Sequence, residues 1–162
     1  GASSDVGSIN SIYKWQNKST SATDATDEDV FYLSTKDFDF GSPGIRKKIY
    51  KVYVTFKSVD DSGGSAGHQD SEVLVKYFTN GAVTGTKTFA DSTNYSAAKG
   101  LFDSGGGTNW TIAELKPNTS SEANNIYSFQ LQFLGKTSGA GDIPNLFEIN
   151  DITIVYREKN IK

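Results

Sequence analysis

The sequence predicts an all-β fold, an antiparallel β-sandwich of jelly-roll-like form, on three observations. The closing segment, Phe147 to Arg157, alternates apolar and polar residues but changes phase midway. Phe147 and Ile149 share one parity, and Ile152, Ile154 and Tyr156 share the other. Strand side chains alternate with period two, so this offset predicts a bulge or bend at Asn150-Asp151. Two further segments alternate cleanly, Lys48 to Ser58 and Ile126 to Leu134. Finally, roughly seven or eight strand-length segments are separated by Gly-rich turns, with no sustained helical periodicity.

With 162 residues, the chain reads as one sandwich domain over 30–162, preceded by a polar segment or linker over 1–29. Ile12 to Gln16 is the apolar patch of that segment and reads as one short strand, or as the end of a preceding domain. Only 36% of residues are hydrophobic, but ten Phe and eight Tyr supply large rings that fill a thin core. The chain has no Cys, which excludes disulfides, thiolate metal sites and a cysteine nucleophile. It also has no Met, which reads as processing of the chain or, more simply, excision from a longer protein. The net charge of -3 argues against a dedicated nucleic-acid binder. No apolar run approaches the ~20 residues that a membrane helix requires.

The strands are expected as follows. Val30 to Phe40 is the first region. Phe31 and Leu33 differ in parity from Phe38 and Phe40, which predicts a bulge near Thr35-Lys36. Gly41 to Gly44 is a turn, with Pro43 pre-set for turn geometry. In Lys48 to Ser58, Tyr50, Val52, Val54 and Phe56 form the core face and Lys51, Tyr53, Thr55 and Lys57 the outer one. Asp60 to Asp70 is a loop. Glu72 to Thr79 is a strand, Asn80-Gly81 a hairpin turn, and Val83 to Phe89 its partner. Asp91 to Thr108 is a long connection anchored by Tyr95, Leu101 and Phe102. Asn109 to Leu115 is a strand. Tyr127, Phe129, Leu131 and Phe133 form the second core face, with Ser128, Gln130 and Gln132 outward.

No active site is expected. The lone His68 lies between Gly67 and Gln69 in a loop, where nothing holds it as a general base. Asp37 and Asp39, or Glu148 and Asp151, supply carboxylates, but no second signal selects a catalytic pair. Asp151 is expected to be structural, its carboxylate satisfying backbone donors at the bulge. No cofactor is expected. Calcium is the metal that suits Asp24, Asp27, Glu28, Asp29 and Asp60-Asp61, yet neither segment has the spacing of a calcium loop, and a solvated acidic turn is the plainer reading.

Binding residues are sought among rings and cations. Tyr32, Tyr53, Tyr95 and Trp110 are the available sugar-stacking platforms, each of which also suits a core position. Arg46-Lys47-Lys48 forms the strongest positive run. It suits an anion or a neighbouring subunit, or simply protects a strand from edge pairing. Four tripeptides beginning at Asn17, Asn94, Asn109 and Asn118 fit the glycosylation pattern, as expected by chance in so Asn-, Ser- and Thr-rich a chain.

Two stretches carry a resemblance. Phe31 to Thr55, and Ser121 to Phe133 followed by Phe147 to Arg157, resemble C-terminal β-sandwich domains of structural proteins in tailed-bacteriophage virions, often tail-associated. The resemblance implies a non-catalytic domain acting in assembly or host-surface contact. Its partners would be other virion proteins, the preceding domain, or a host-surface glycan, without nucleic acid or membrane insertion. The absence of Cys agrees with folding in a reducing bacterial cytoplasm. Phe147 to Ile152 also resembles the closing strand of jelly-roll carbohydrate-binding modules, with Asn150 where an acid often stands. That alternative implies a secreted bacterial protein.

Overall fold

In the computed structural model, which describes residues 32–59, 73–103, 110–135 and 146–159, the regular elements are all β-strands. They are β1 (Tyr32–Ser34), β2 (Lys47–Val59), β3 (Val73–Thr79), β4 (Lys87–Thr88), β5 (Tyr95–Ser96), β6 (Gly100–Leu101), β7 (Thr111–Leu115), β8 (Asn124–Ile126), β9 (Phe129–Gly135) and β10 (Leu146–Glu158). One sheet has the order β1-β9-β3-β4; the second has β10-β2-β7, with β8 also on β2. All pairings are antiparallel. The chain crosses repeatedly between the sheets, which makes the molecule an all-β sandwich. The segment over 1–29, the His68 loop and the acidic clusters at Asp24 to Asp29 and Asp60-Asp61 lie outside the described residues.

The core forms where the two alternating segments meet. Val52, Val54 and Phe56 of β2 and Phe129, Leu131 and Phe133 of β9 are fully buried in one cluster. Val75 and Tyr77 of β3, Ala113 and Leu115 of β7, and Phe89 also belong to it. The Tyr77 ring stacks on Phe129 at 5.2 Å between centroids, a spacing favoured by aromatic pairs. Two expected members are absent. Tyr50 and Tyr127 remain 39% and 41% exposed. Tyr50 is an extra residue: Val155 faces Lys51 and Tyr156 faces Ile49 across the ladder, so Tyr50 is left without a partner. The bulge moves Ile49 into the core and Tyr50 out. Tyr127 falls in the turn between β8 and β9, and alternation does not extend to it. Gln132, expected outside, is buried between its register partners Ser34 and Lys76.

Two predicted bulges occur. On β10, Ile149 faces Phe56 and Asp151 faces Thr55, so Asn150 is the additional residue. Phe147, Ile149, Ile152 and Ile154 thereby all pack against the core. Before β2, Ser34 faces Gln132 but Phe38 bridges Phe129, again leaving one residue extra. The Thr35 hydroxyl fills the gap, accepting the Leu131 N–H at 3.0 Å. Asp151 does not act as expected. It is exposed, and its Oδ2 accepts a bond from the Thr153 hydroxyl at 2.9 Å rather than from a backbone N–H. A bulge on an open strand leaves its amides to water, so no carboxylate is needed there.

The turns follow their residues. Asn80 and Gly81 both have positive φ, 60° and 67°, as a type I′ turn demands. The hairpin partner is shorter than Val83 to Phe89: only Lys87 and Thr88 pair, with Tyr77 and Lys76. Within 91–103 the β5–β6 hairpin folds inward, burying Tyr95 and Leu101.

Candidate binding face

The outer side of the second sheet is built by the same alternation that fills the core. With Val52, Val54 and Phe56 inward, Lys51, Tyr53, Thr55 and Lys57 face out on β2. On β7, Ala113 and Leu115 are buried, which places Ile112 and Glu114 outward. The register sets Tyr53 beside Glu114 and Thr55 beside Ile112. Trp110 shares the parity of Ile112 one step before β7. Trp110 is 49% exposed and Ile112 57%. Of the six large hydrophobic side chains exposed among the described residues, Tyr50, Trp110, Ile112, Tyr127 and Tyr156 belong to this sheet or adjoin its strands. The sixth, Val83, is in the β3–β4 loop.

Tyr53, Ile112, Glu114 and Lys116 line a cleft of about 620 Å³ with Asp91 and Asn94 of the β4–β5 connection. Asn94 Nδ2 donates to the Ile112 carbonyl at 2.8 Å, tying that connection to β7. Asp91 Oδ1 accepts from the Ala97 amide at 2.9 Å. Ser92, also in the lining, has a buried hydroxyl with no protein partner. Glu114 is the hub. It accepts from Tyr53 Oη at 2.8 Å and Lys51 Nζ at 3.0 Å, and pairs with Lys116 at 2.8 Å. Lys116, then Tyr53 and Lys51, hold its carboxyl down to about 2. The Lys51 ammonium is raised in turn by its neighbours Tyr53 and Glu114. Glu114 is therefore a carboxylate throughout the ordinary pH range, unsuited to donate a proton and well suited to accept hydrogen bonds.

The structure brings two of the four sequence-selected rings together, Tyr53 and Trp110, on one face. Tyr95 is a correction: it is 1% exposed, and its hydroxyl donates to the Val75 carbonyl at 2.9 Å. Burial pushes this phenol up to about 12. Tyr32 lies on β1, at the edge of the opposite sheet. In the basic run, Arg46 is exposed and Lys48 half-buried, but Lys47 has no exposed surface. A charge so placed cannot meet a partner. The pattern of β2 points Lys47 inward with Ile49, and main-chain carbonyls satisfy its ammonium.

The carboxylates considered for catalysis are all exposed. Asp37 accepts from the Ser128 hydroxyl at 2.6 Å and Asp39 from the Gly41 amide at 2.9 Å. Glu148 and Asp151 are exposed on β10, in the other sheet. Among the described residues, no three His, Cys, Asp or Glu side chains are grouped to hold a metal. The Asn94 amide is engaged with β7, Asn118 is exposed in a turn, and Asn17 and Asn109 lie outside the described residues. The sequence alone does not mark Ile112, Glu114 and Asp91 as binding residues, and marks Asn94 only as part of a glycosylation pattern. The parity of Trp110, Ile112 and Glu114 against Ala113 and Leu115 was the available signal for the β7 pair. Nothing local to Asp91 and Asn94 announces that a connection folds over β7.

The chain matches no family model, no curated protein and no solved structure.

Proposed function

We propose that this chain is a non-catalytic interaction domain of a tailed-phage virion protein, contacting the host surface by binding carbohydrate on the outer face of the β10-β2-β7 sheet. The supporting observation is the composition of the cleft. An aromatic ring and an aliphatic side chain, Tyr53 and Ile112, stand beside two carboxylates, Glu114 and Asp91, a lysine and an amide. Sugars present the same mixture, with apolar C–H faces that pack on rings and hydroxyls that donate to carboxylates. Trp110 extends the apolar row along β7. The virion setting rests on the resemblance of the stretches that supply β1, β8 and most of β2, β9 and β10; β3 and β7 lie outside them. A carbohydrate-binding module of a secreted bacterial protein shares this ligand and differs in its setting.

A glycan array tests the ligand, using the wild-type chain beside Tyr53→Ala and Trp110→Ala. Selective binding that both variants weaken, while both still unfold cooperatively from a native fold, is expected. No binding to any glycan would overturn the carbohydrate reading. Mass spectrometry of purified particles from a phage that encodes the chain tests the setting. Its absence from particles would leave the secreted alternative.

A further inference from the structure

Two neighbouring parts of the outer sheet face treat their cations differently. At the cleft, Lys51 and Lys116 are both paired with Glu114, although Lys51 also lies over the Tyr53 ring. At the start of β2, the cations rest on rings alone. Lys48 Nζ lies 5.0 Å from the centroid of the Tyr50 ring, and the Arg157 guanidinium lies 6.0 Å from the same ring. The Arg46 guanidinium lies 5.3 Å from the Tyr127 ring, and its Nε donates to Tyr127 Oη at 3.0 Å. Among the described residues no carboxylate forms an ion pair with Arg46, Lys48 or Arg157.

The distinction has an electrostatic consequence. An ion pair cancels the field of a cation, whereas a ring face fixes the cation and leaves its charge in place. Register makes the three contiguous. Arg157 is the direct partner of Lys48 across the β2–β10 ladder, and Arg46 stands two residues before Lys48. The Tyr50 bulge creates the cluster, because it turns that ring to the surface where both Lys48 and Arg157 reach it. Lys159 adds a further positive charge, its Nζ donating to neutral Asn125 Oδ1 at 3.3 Å.

The geometry points to an acidic polysaccharide as the ligand of this face. Its carboxylate, sulfate or phosphate groups would sit against Arg46, Lys48 and Arg157, while its sugar rings extend towards the Tyr53 cleft. This rests on the carbohydrate reading above and narrows it to anionic glycans. Nucleic acid fits less well. The whole chain is net negative, at -3. The rings in the patch are engaged with the side chains of Arg46, Lys48 and Arg157, and so hold cations where a base would otherwise stack.

Isothermal titration with polygalacturonate, dextran sulfate, neutral dextran and a short DNA duplex tests this. The proteins are the wild-type chain, the triple variant Arg46→Gln/Lys48→Gln/Arg157→Gln, and the charge-conserving pair Lys48→Arg/Arg157→Lys. The wild type should bind an acidic polymer over neutral dextran, and the affinity should fall by about tenfold or more between low and physiological salt. Polygalacturonate against dextran sulfate separates carboxylate from sulfate recognition. The triple variant should lose this binding while keeping its melting temperature, and the charge-conserving pair should keep it. Equal binding by wild type and triple variant overturns the inference, as does tighter binding of DNA than of either acidic polymer. If array glycans that are neutral still bind through Tyr53 while acidic polymers do not bind, only this inference fails. If nothing saccharide binds, the carbohydrate reading fails with it.

Discussion

Lys47 Nζ donates to the main-chain carbonyl of Tyr127 at 3.1 Å from a side chain with no exposed surface. Its other protons go to the carbonyls of Ser42, at 2.5 Å, and Ile45, at 2.8 Å. One ammonium thus ties the loop before β2 to the turn before β9, beneath the Phe40 ring at 6.0 Å. A buried charge persists only where its donors are satisfied, and carbonyl oxygens do that here. Lys47→Met keeps the stem and removes the donors, leaving carbonyls unpaired. Stability should fall by about 3 kcal/mol, read from the urea midpoint. A change near zero would show that water replaces the ammonium.

Phe129 is the ring on which the two sheets close. It is fully buried, stacks on Tyr77, and bridges Phe38 through paired backbone bonds at 2.8 and 3.1 Å. Phe129→Ala should cost about 3–5 kcal/mol, the range for emptying a packed aromatic site. Reversible denaturation measures it. A loss below 1 kcal/mol would mean, by about the scale of a single relaxed site, that neighbouring side chains collapse into the space.

Gly100 is held by its surroundings as well as by its φ of +71°. A Cβ there would lie 2.6 Å from the Val73 carbonyl oxygen, against the backbone of β3. Backbone cannot move aside as a flexible side chain can. Gly100→Ala should therefore destabilise by more than the ~1 kcal/mol of an unfavourable φ alone. Gly85, also at positive φ but with open space around it, supplies the control. Its Ala variant should show the smaller loss.

Where period-two patterning was uninterrupted, the fold was legible. Val52 to Phe56 and Phe129 to Phe133 announced the two core faces, and the mismatch between Ile149 and Ile152 announced the Asn150 bulge. A bulge is legible only if apolar residues lie on both sides of it. Tyr50 hid its own bulge because a tyrosine fits either face, so the segment read as continuous alternation. The burial of Lys47 is not legible in the sequence for a related reason. Its burial depends on carbonyls from residues 42, 45 and 127, which no local pattern brings together. The same holds for the cleft. Tyr53 and Trp110 were visible as rings, but Asn94 meets Ile112 only through the folding of a connection.

Asp151 separates a structural from a surface role. Its exposure and its bond to the Thr153 hydroxyl predict a small effect of Asp151→Ala, within about 0.5 kcal/mol. Thermal denaturation should give nearly superimposable curves. A loss above about 1 kcal/mol would restore a carboxylate-capped bulge.

Glu114 makes the pH prediction. Its carboxyl is held at about 2 in the folded chain against an ordinary 4.5, with Lys116 first among the causes, then Tyr53 and Lys51. The unfolded chain therefore binds the proton more readily between these two values. Its contribution to stability is complete above the unfolded value and is lost as pH falls through the folded one. The melting-temperature gap between wild type and Glu114→Gln should be constant above about pH 5 and close as pH falls towards 2. Carbon-detected NMR of the Glu114 side-chain carboxyl gives the direct reading, with a midpoint well below 4.5. Lys116→Ala removes the largest cause and should raise that midpoint more than Tyr53→Phe does. A midpoint at the ordinary value in the wild type would mean that the network is not formed in solution, and the cleft would then lose the fixed acceptor on which the proposed sugar binding depends.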